Sequence, residues 1–222
     1  MGTEMRPRSE SRLPPLLSLI AGMVDLIAFL TRGNLFTAHI TDNSFMDEAA
    51  VLACAAQKAG WGRPMPKDVG LGIATTFGQE RAMPTWLACV ARMRVDRTTG
   101  RVAVEKLTMV IDAGTIIHPD SAGAQVEGAL LWGLGMALHE GSEFINGQPK
   151  DTNLDADRVL RMADVPELEV EFLPSAEVPV WLGEPATTGV APAIGNAIFA
   201  ACGARVRHLP IRPATVLEAL GA

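Results

Sequence analysis

The sequence predicts an α+β fold, with mixed or antiparallel strands and hairpins packed against helices. Apolar side chains alternate with Arg92, Arg94 and Asp96 over 91–96, which is the period of a half-buried strand. Leu87 and Cys89 are expected on the same face as Ala91, Met93 and Val95. The turn at Thr98-Thr99-Gly100 then predicts a hairpin, with a return strand over 101–111. Helical stretches separate this hairpin from a second one at Asn146-Gly147. Strand pairs interleaved with helices in this way are typical of α+β domains.

The chain is expected to divide into an irregular, partly helical N-terminal segment over 1–66 and a larger domain over 67–222. Helices are predicted over 16–30 and 45–59, and residues 62–66 have the composition of a linker.

The N-terminus has the residue order of an export signal or a membrane anchor, because arginines precede the apolar stretch 13–30. Pro14 and Pro15 stand at the start of that stretch, and Asp25 interrupts it with a charge that is costly in lipid. We therefore interpret the stretch as a helix that is buried or faces a partner. A cytoplasmic and a periplasmic location in a bacterium both stay open.

Composition argues against nucleic acid as a partner, because the net charge is −6 and no run of Lys and Arg forms a basic stripe. Cys54, Cys89 and Cys202 are far apart and form no Cys-x-x-Cys pair. The four histidines have no metal-ligand spacing either. We therefore expect no metal ligand and no iron–sulfur cluster on this chain itself.

The predicted helix over 120–139 carries glycines at positions 123, 128, 133 and 135, each of which costs roughly 1 kcal/mol relative to alanine. Such a helix is expected where another backbone or a ligand approaches closely. Gln125 lies near its start, and its amide offers both a donor and an acceptor to a cofactor. The alternative is that Gln125 bonds neighbouring backbone and that the glycines serve helix packing.

Glu184 is the candidate general base, in the segment Gly183-Glu184-Pro185. A following proline restricts a residue to extended backbone, which predicts a carboxylate held on a stiffened loop. Trp181, Leu182 and an apolar helix over 191–202 are expected to desolvate it, and desolvation prepares a carboxylate for general-base chemistry. The alternative is an ordinary exposed loop glutamate. Glu127 is a rival candidate on the glycine-bearing helix.

Four stretches in this order resemble the molybdenum-binding subunit of the xanthine dehydrogenase and aldehyde oxidase family. The resemblance is nearest to the isoquinoline 1-oxidoreductase beta-subunit type and runs from about Phe45 to Pro210. The stretches are Val110 to Gly114 with His118-Pro119-Asp120, Ala124 to Gly128, Gly183-Glu184-Pro185, and Pro192 through Arg205 to Pro210.

By that resemblance, Glu184 matches the family's catalytic glutamate, and Gln125 and Gly183 lie at the cofactor. The resemblance implies a hydroxylase that oxidises an aldehyde or an N-heterocyclic carbon with oxygen from water. It implies a molybdenum–molybdopterin cofactor in its cytosine dinucleotide form, and [2Fe–2S] clusters on a small partner subunit that receive the electrons.

The chain is shorter than the family's molybdenum subunits and lacks their Gly-Gly-Phe-Gly type of pterin-binding segment. By the resemblance, residues 67–222 are therefore expected to be the incomplete C-terminal portion of a molybdenum-cofactor-binding domain. We expect the cofactor to be shared with a missing or partner segment, and the remaining half of the molybdenum subunit is the candidate. The competing hypothesis is a truncated, non-catalytic remnant or structural module of the same fold.

Overall fold

The computed structural model describes residues 42–79, 84–150, 152–153 and 158–221. The predicted helix over 16–30 and the apolar stretch 13–30 lie outside these residues. Among the described residues, no helix combines the length and the apolar composition that crossing a membrane requires.

A four-stranded sheet organises the described chain, with the strand order β1-β2-β3-β6. Its strands are β1 (Val69–Gln79), β2 (Pro84–Val95), β3 (Val102–Asp112) and β6 (Glu167–Phe172). The β1–β2 and β2–β3 pairs are antiparallel, whereas β6 runs parallel to β3. The predicted mixed sheet is confirmed.

Both predicted hairpin turns form. At the β2–β3 turn, the carboxylate of Asp96 accepts the N–H groups of Thr98 and Thr99, and Gly100 takes a left-handed φ of +70°. The second hairpin joins β4 (Phe144–Ile145) to β5 (Gln148–Pro149), with positive φ at both turn residues.

Five α-helices and one 3₁₀ turn, Met162–Asp164, complete the described elements. The helices are α1 (Asp42–Lys58), α2 (Pro119–Leu138), α3 (Pro185–Thr188), α4 (Val190–Cys202) and α5 (Pro213–Leu220). The predicted helices over 45–59, 120–139 and 191–202 are present within a few residues of their expected bounds. The single turn of α3 was not expected, because the segment before Ala191 was predicted as a loop.

Helix α4 lies directly on the backbone of β1. A side chain at Gly72 would place its Cβ 2.1 Å from the backbone nitrogen of Ala197 and 2.2 Å from the carbonyl oxygen of Ala193. Gly70 has the same closeness to Ala197. Glycine inside a strand often marks a place where another backbone approaches closely, and the approaching group here is the backbone of α4.

Helix α1 covers the opposite face of the sheet. The hydroxyl of Thr75 donates to the carboxylate of Glu48 in α1, at 2.8 Å. Thr75 pairs with Ala88, and the even-numbered residues of β2 point away from α4. The prediction of a half-buried β2 is therefore wrong for most of its length. Ala88 and Val90 are as buried as Leu87 because α1 packs over them, and only the end of the strand, at Arg94, is exposed.

The proposed division of the chain at residues 66 and 67 stays a prediction. Helix α1, which precedes that division, packs on the same sheet as the elements that follow it, and residues 41–222 form one compact unit.

Candidate functional site

Helix α2 presents an uncharged, exposed stripe to solvent, and Gln125 lies within it. The helix starts at Pro119, and the imidazole of His118 caps it by accepting the N–H of Ser121 at 3.2 Å. Proline suits the first helical position because its missing N–H has no intrahelical partner. The exposed stripe consists of Ser121, Ala124, Gln125, Gly128, Trp132 and Met136. The opposite side of α2 is buried in the core.

The glycines of α2 differ in what surrounds them. A Cβ at Gly133 would lie 2.7 Å from the carbonyl oxygen of Thr187, so this glycine admits the backbone of the α3 segment. A Cβ at Gly123 or Gly128 would meet nothing within 4 Å. The packing alternative therefore explains Gly133, whereas Gly128, which lies on the same face of the helix as Gln125, leaves open space beside that amide.

The segment between β6 and α3 packs against the end of β3 and is hydrogen-bonded to it. Gly114 has a φ of +69°, and a Cβ there would lie 2.1 Å from the carbonyl oxygen of Val178. The N–H of Val180 donates to the carbonyl of Ala113 at 3.1 Å. The structure therefore explains why glycine occupies position 114, since only glycine combines a left-handed conformation with so close an approach of another backbone.

Trp181 supports the next part of the loop. The hydroxyl of buried Thr85 donates to its carbonyl oxygen. Its indole lies over both Gly78 and Gly183, where an added Cβ would come within 2.9 Å of the ring. Strand β2 and the indole together hold the peptide that precedes Glu184.

Glu184 takes the N-cap position of α3, with φ −108° and ψ −17°. The prediction of extended backbone is therefore wrong. The carbonyl of Glu184 accepts the N–H of Thr187 at 2.9 Å, and closing that turn requires ψ near zero. The turn overrides the preference that Pro185 imposes on its predecessor. The segment is nevertheless stiffened, because Pro185 and Ala186 are buried.

The side chain of Glu184 is exposed, and its carboxylate makes no hydrogen bond or ion pair with any described residue. The expectation that Trp181, Leu182 and the helix over 191–202 would desolvate it is wrong in this structure, because they pack beneath the loop and leave its outer side open. The carboxylate is therefore accessible to whatever approaches the exposed stripe of α2.

Two contacts join the Glu184 segment to α2. The amide nitrogen of Gln125 donates to the carbonyl oxygen of Gly183 at 3.4 Å. One helical turn later, the hydroxyl of Thr187 donates to the carbonyl of Ala129 at 3.3 Å. The alternative in which Gln125 bonds backbone is thus realised, but the backbone in question immediately precedes Glu184. All three predicted site residues, Gln125, Gly183 and Glu184, meet on one surface.

The sequence did not single out Thr85 and Thr187, which position this segment through their hydroxyls. Threonine in a strand or a helix is too common to be a signal. Across the described ranges, no group of three or more His, Cys, Asp or Glu side chains is placed to hold a metal ion.

The surface can do two things chemically. An exposed carboxylate can accept a proton, and an amide beside it can donate to or accept from a flat polar ligand. Gly128 lets such a ligand approach the helix backbone beside Gln125, since this position carries no side chain.

Comparison with known proteins identifies the family of this chain. A family model described as molybdopterin cofactor-binding domain matches residues 31–166. The membrane-bound aldehyde dehydrogenase [pyrroloquinoline-quinone] of Gluconacetobacter polyoxogenes is 57% identical over 78% of this chain. Isoquinoline 1-oxidoreductase subunit beta of Brevundimonas diminuta is 29% identical over 80% of it.

Among solved structures, the aldehyde oxidoreductase of Desulfovibrio gigas superposes with a TM-score of 0.56 and 30% identity, covering 63% of this chain and 16% of that one. The chain spans 22% of the length of each of the two curated relatives. The resemblance inferred from the motifs is confirmed, and so is the α+β fold. The chain belongs to the molybdopterin cofactor-binding domain family.

Proposed function

We propose that this chain supplies the base-bearing part of a molybdenum hydroxylase, which oxidises an aldehyde or an N-heterocyclic carbon with oxygen from water. The observation that carries the proposal is the contact between Gln125 and Gly183, which places an amide and the Glu184 segment side by side. Relatives named as an aldehyde dehydrogenase and as an isoquinoline 1-oxidoreductase support these two substrate classes.

The residues present fit a molybdopterin cofactor. Gly128 leaves room for a flat ring against the exposed stripe of α2, and that stripe is uncharged. Gln125 and the Gly183 peptide would hold the polar edge of the cofactor through the amide and the carbonyl. When bound, the cofactor supplies the two-electron oxidation, which amino-acid side chains do not provide.

Within this arrangement Glu184 has the role of general base. Its carboxylate would take the proton released when an oxygen derived from water is transferred to the substrate carbon. The turn closed by Thr187 and the buried Pro185 fix the position of the carboxylate's backbone. Positioning matters because a base must come within hydrogen-bond reach of its proton, at about 2.6–3.2 Å.

The finer identity of cofactor and partners belongs to the same proposal. We infer the cytosine dinucleotide form of the cofactor, and a small partner subunit whose [2Fe–2S] clusters receive the electrons. The open carboxylate of Glu184 and the open surface at Gly128 support cover of this face by other protein. We therefore infer that the remaining part of a molybdenum subunit, absent from these 222 residues, completes the enclosure.

Cofactor analysis tests the proposal. The chain would be expressed with an affinity tag in a bacterium that makes molybdopterin, and the complex that purifies with it would be analysed. We expect molybdenum by elemental analysis, a pterin by fluorescence after oxidation, and cytidine monophosphate after acid hydrolysis. The printed name of one relative makes pyrroloquinoline quinone the informative alternative. A complex that holds this quinone and no molybdenum contradicts the proposal.

A second candidate is a non-catalytic structural module of the same fold. The observation that favours it is the exposed Glu184 carboxylate, which lacks a partner among the described residues. A complex with neither molybdenum nor pterin, from cells that load another enzyme of this family, would favour the structural module.

A further inference from the structure

A cavity of about 520 Å³ lies beside the end of α2 that is distant from Gln125. Its walls come from the start of β3, the end of α2, the 3₁₀ turn Met162–Asp164 and the segment 211–213. This volume is within the range of about 300–1,000 Å³ that is usual for small-molecule sites. A helical rise of about 1.5 Å per residue places Leu134, in its wall, roughly 14 Å along the axis from Gln125. The cavity is therefore separate from the Glu184 surface.

The lining has two chemically different parts. Its apolar part includes Val102, Val104, Leu134, Leu138 and Ile211. Its polar part consists of Arg101, His139, Arg158 and Asp164. An apolar surface beside a few polar groups is the usual composition of a site for a small organic molecule.

The polar part is cationic on balance. No hydrogen bond or ion pair joins the Arg158 guanidinium to another residue in the part of the chain that the structure describes. Asp164 is the acidic member, and one of its carboxylate oxygens already accepts the N–H of Arg161 at 3.2 Å. Hydrogen bonds from Thr99 and Thr98 lower the pKa of the Asp96 carboxyl, and the charge of Arg101 adds a smaller contribution, so Arg101 lies near that carboxylate. Arg158 is a cation of this wall whose binding capacity is unused.

His139 adds a neutral polar group to the same wall. Burial, together with the nearby charge of Arg158, lowers the pKa of His139. A neutral imidazole can donate one hydrogen bond to an anion and adds no charge of its own. The guanidinium of Arg158 offers the paired N–H groups that match the two oxygens of a carboxylate.

We propose that this cavity binds a small organic carboxylate with an apolar body. Arg158 holds the carboxylate, His139 contributes a hydrogen bond, and the apolar body lies against Leu134 and its apolar neighbours. The proposal does not depend on the cofactor or on the activity proposed for Glu184.

Isothermal titration of the full chain with sodium benzoate and sodium hexanoate tests this assignment. We expect both carboxylates to bind, and benzyl alcohol and inorganic phosphate to bind at least tenfold more weakly, on the order expected for a lost charge-assisted bond or a lost apolar contact. Arg158→Gln should weaken benzoate binding by about tenfold or more. Arg207→Gln makes the same charge change at an exposed residue outside the cavity and should leave binding unchanged.

A second variant keeps the test independent of any single arginine. Ala163 is exposed and lines the cavity, so Ala163→Phe should fill it and abolish benzoate binding without disturbing the core. Circular dichroism would verify that each variant folds. The proposal is overturned if benzoate fails to bind the wild-type chain, if phosphate binds as tightly as benzoate, or if Arg158→Gln and Ala163→Phe bind benzoate as the wild type does.

Discussion

At the scale of single residues, Glu184 combines a fixed backbone with an open side chain. Its carbonyl closes the first turn of α3, whereas its carboxylate meets no described residue. The side chain at the N-cap position of a helix often accepts a free backbone N–H group. This one does not, and such an unused carboxylate is available for proton transfer.

Replacing the carboxylate by its isosteric amide tests this role. In the assembled complex, Glu184→Gln should lower kcat by about 10²–10⁴-fold, because a general base contributes on that order. Molybdenum content should stay near the wild-type level, since the side chain supports no part of the fold. The matched control is Glu127→Gln, at an exposed glutamate on α2, which should keep near-native turnover. A Glu184→Gln complex that retains the wild-type rate would refute the assignment.

Gln125 is expected to act more mildly. Gln125→Ala removes the hydrogen bond to the Gly183 carbonyl and the amide that would hold the cofactor's edge. We expect loss of molybdenum during dialysis, or a rate lowered by about tenfold, as one such bond is worth roughly 0.5–1.5 kcal/mol. Elemental analysis and steady-state kinetics measure the two effects. If neither molybdenum retention nor rate changes, Gln125 serves packing alone.

The sequence predicted which residues meet at this surface, but not their conformations. Gly183, Glu184 and Gln125 could be identified because their motifs are distinctive. The backbone of Glu184 could not, because the bias from a following proline is local, and the hydrogen bond to Thr187 is decided by the turn as a whole. Its exposure was equally unpredictable, since neighbouring apolar residues in sequence do not say which side of a loop they cover.

At the scale of elements, the contact between α4 and β1 governs the architecture. The glycines of β1 let the helix backbone descend to the strand, which brings α4 and the preceding α3 close to the sheet. The carboxylate of Glu184 is positioned at the start of α3, so its location depends on this close contact. A glycine chosen for packing in β1 therefore affects the candidate site.

Adding one methyl group at this contact should be costly. A Cβ at Gly72 would overlap backbone atoms of α4, which cannot rotate away as a side chain can. We expect Gly72→Ala to lower the free energy of unfolding by about 1–3 kcal/mol or more. Gly123→Ala is the control, because nothing lies within 4 Å of its Cβ position. That change should raise stability by about 0.5–1 kcal/mol. Urea denaturation of the two variants measures both, and a neutral Gly72→Ala would show that α4 is free to move.

Sequence patterns predicted where the helices and strands lie better than they predicted which faces of those elements are buried. The turn residues and the helix boundaries were predictable because glycine, proline and asparagine each favour particular local backbone conformations. The burial of both faces of β2 was not, since Ala88 and Val90 are covered by α1, a helix more than 25 residues earlier in the chain. Small apolar residues do not reveal a second covered face.

At the scale of the whole molecule, an ion-pair network joins three elements. Glu169 of β6 contacts Lys106 of β3 at 3.0 Å and Lys58 of α1 at 3.3 Å. Each lysine also forms an ion pair with one further glutamate of β6: Lys58 with Glu171, and Lys106 with Glu167. The helix layer and the parallel edge of the sheet are thus held together by charges as well as by apolar packing.

This network should make stability depend on pH at acid values. The hydrogen bond from Lys106, with a smaller contribution from Lys58, holds the pKa of Glu169 below its ordinary value of 4.5. A carboxylate with a lowered pKa in the folded state stabilises that state above the ordinary value, and this contribution is lost as pH falls through the folded pKa. Glu169→Gln should therefore lower Tm at pH 7 by about 1–3 °C. The difference from the wild type should shrink below pH 4.5. Thermal unfolding at pH 7 and below pH 4.5 measures the difference in Tm between variant and wild type. Glu218→Gln on α5 is the control, since Glu218 pairs with no cation among the described residues. A difference in Tm that is the same at both pH values would show that Glu169 contributes through packing and not through its charge.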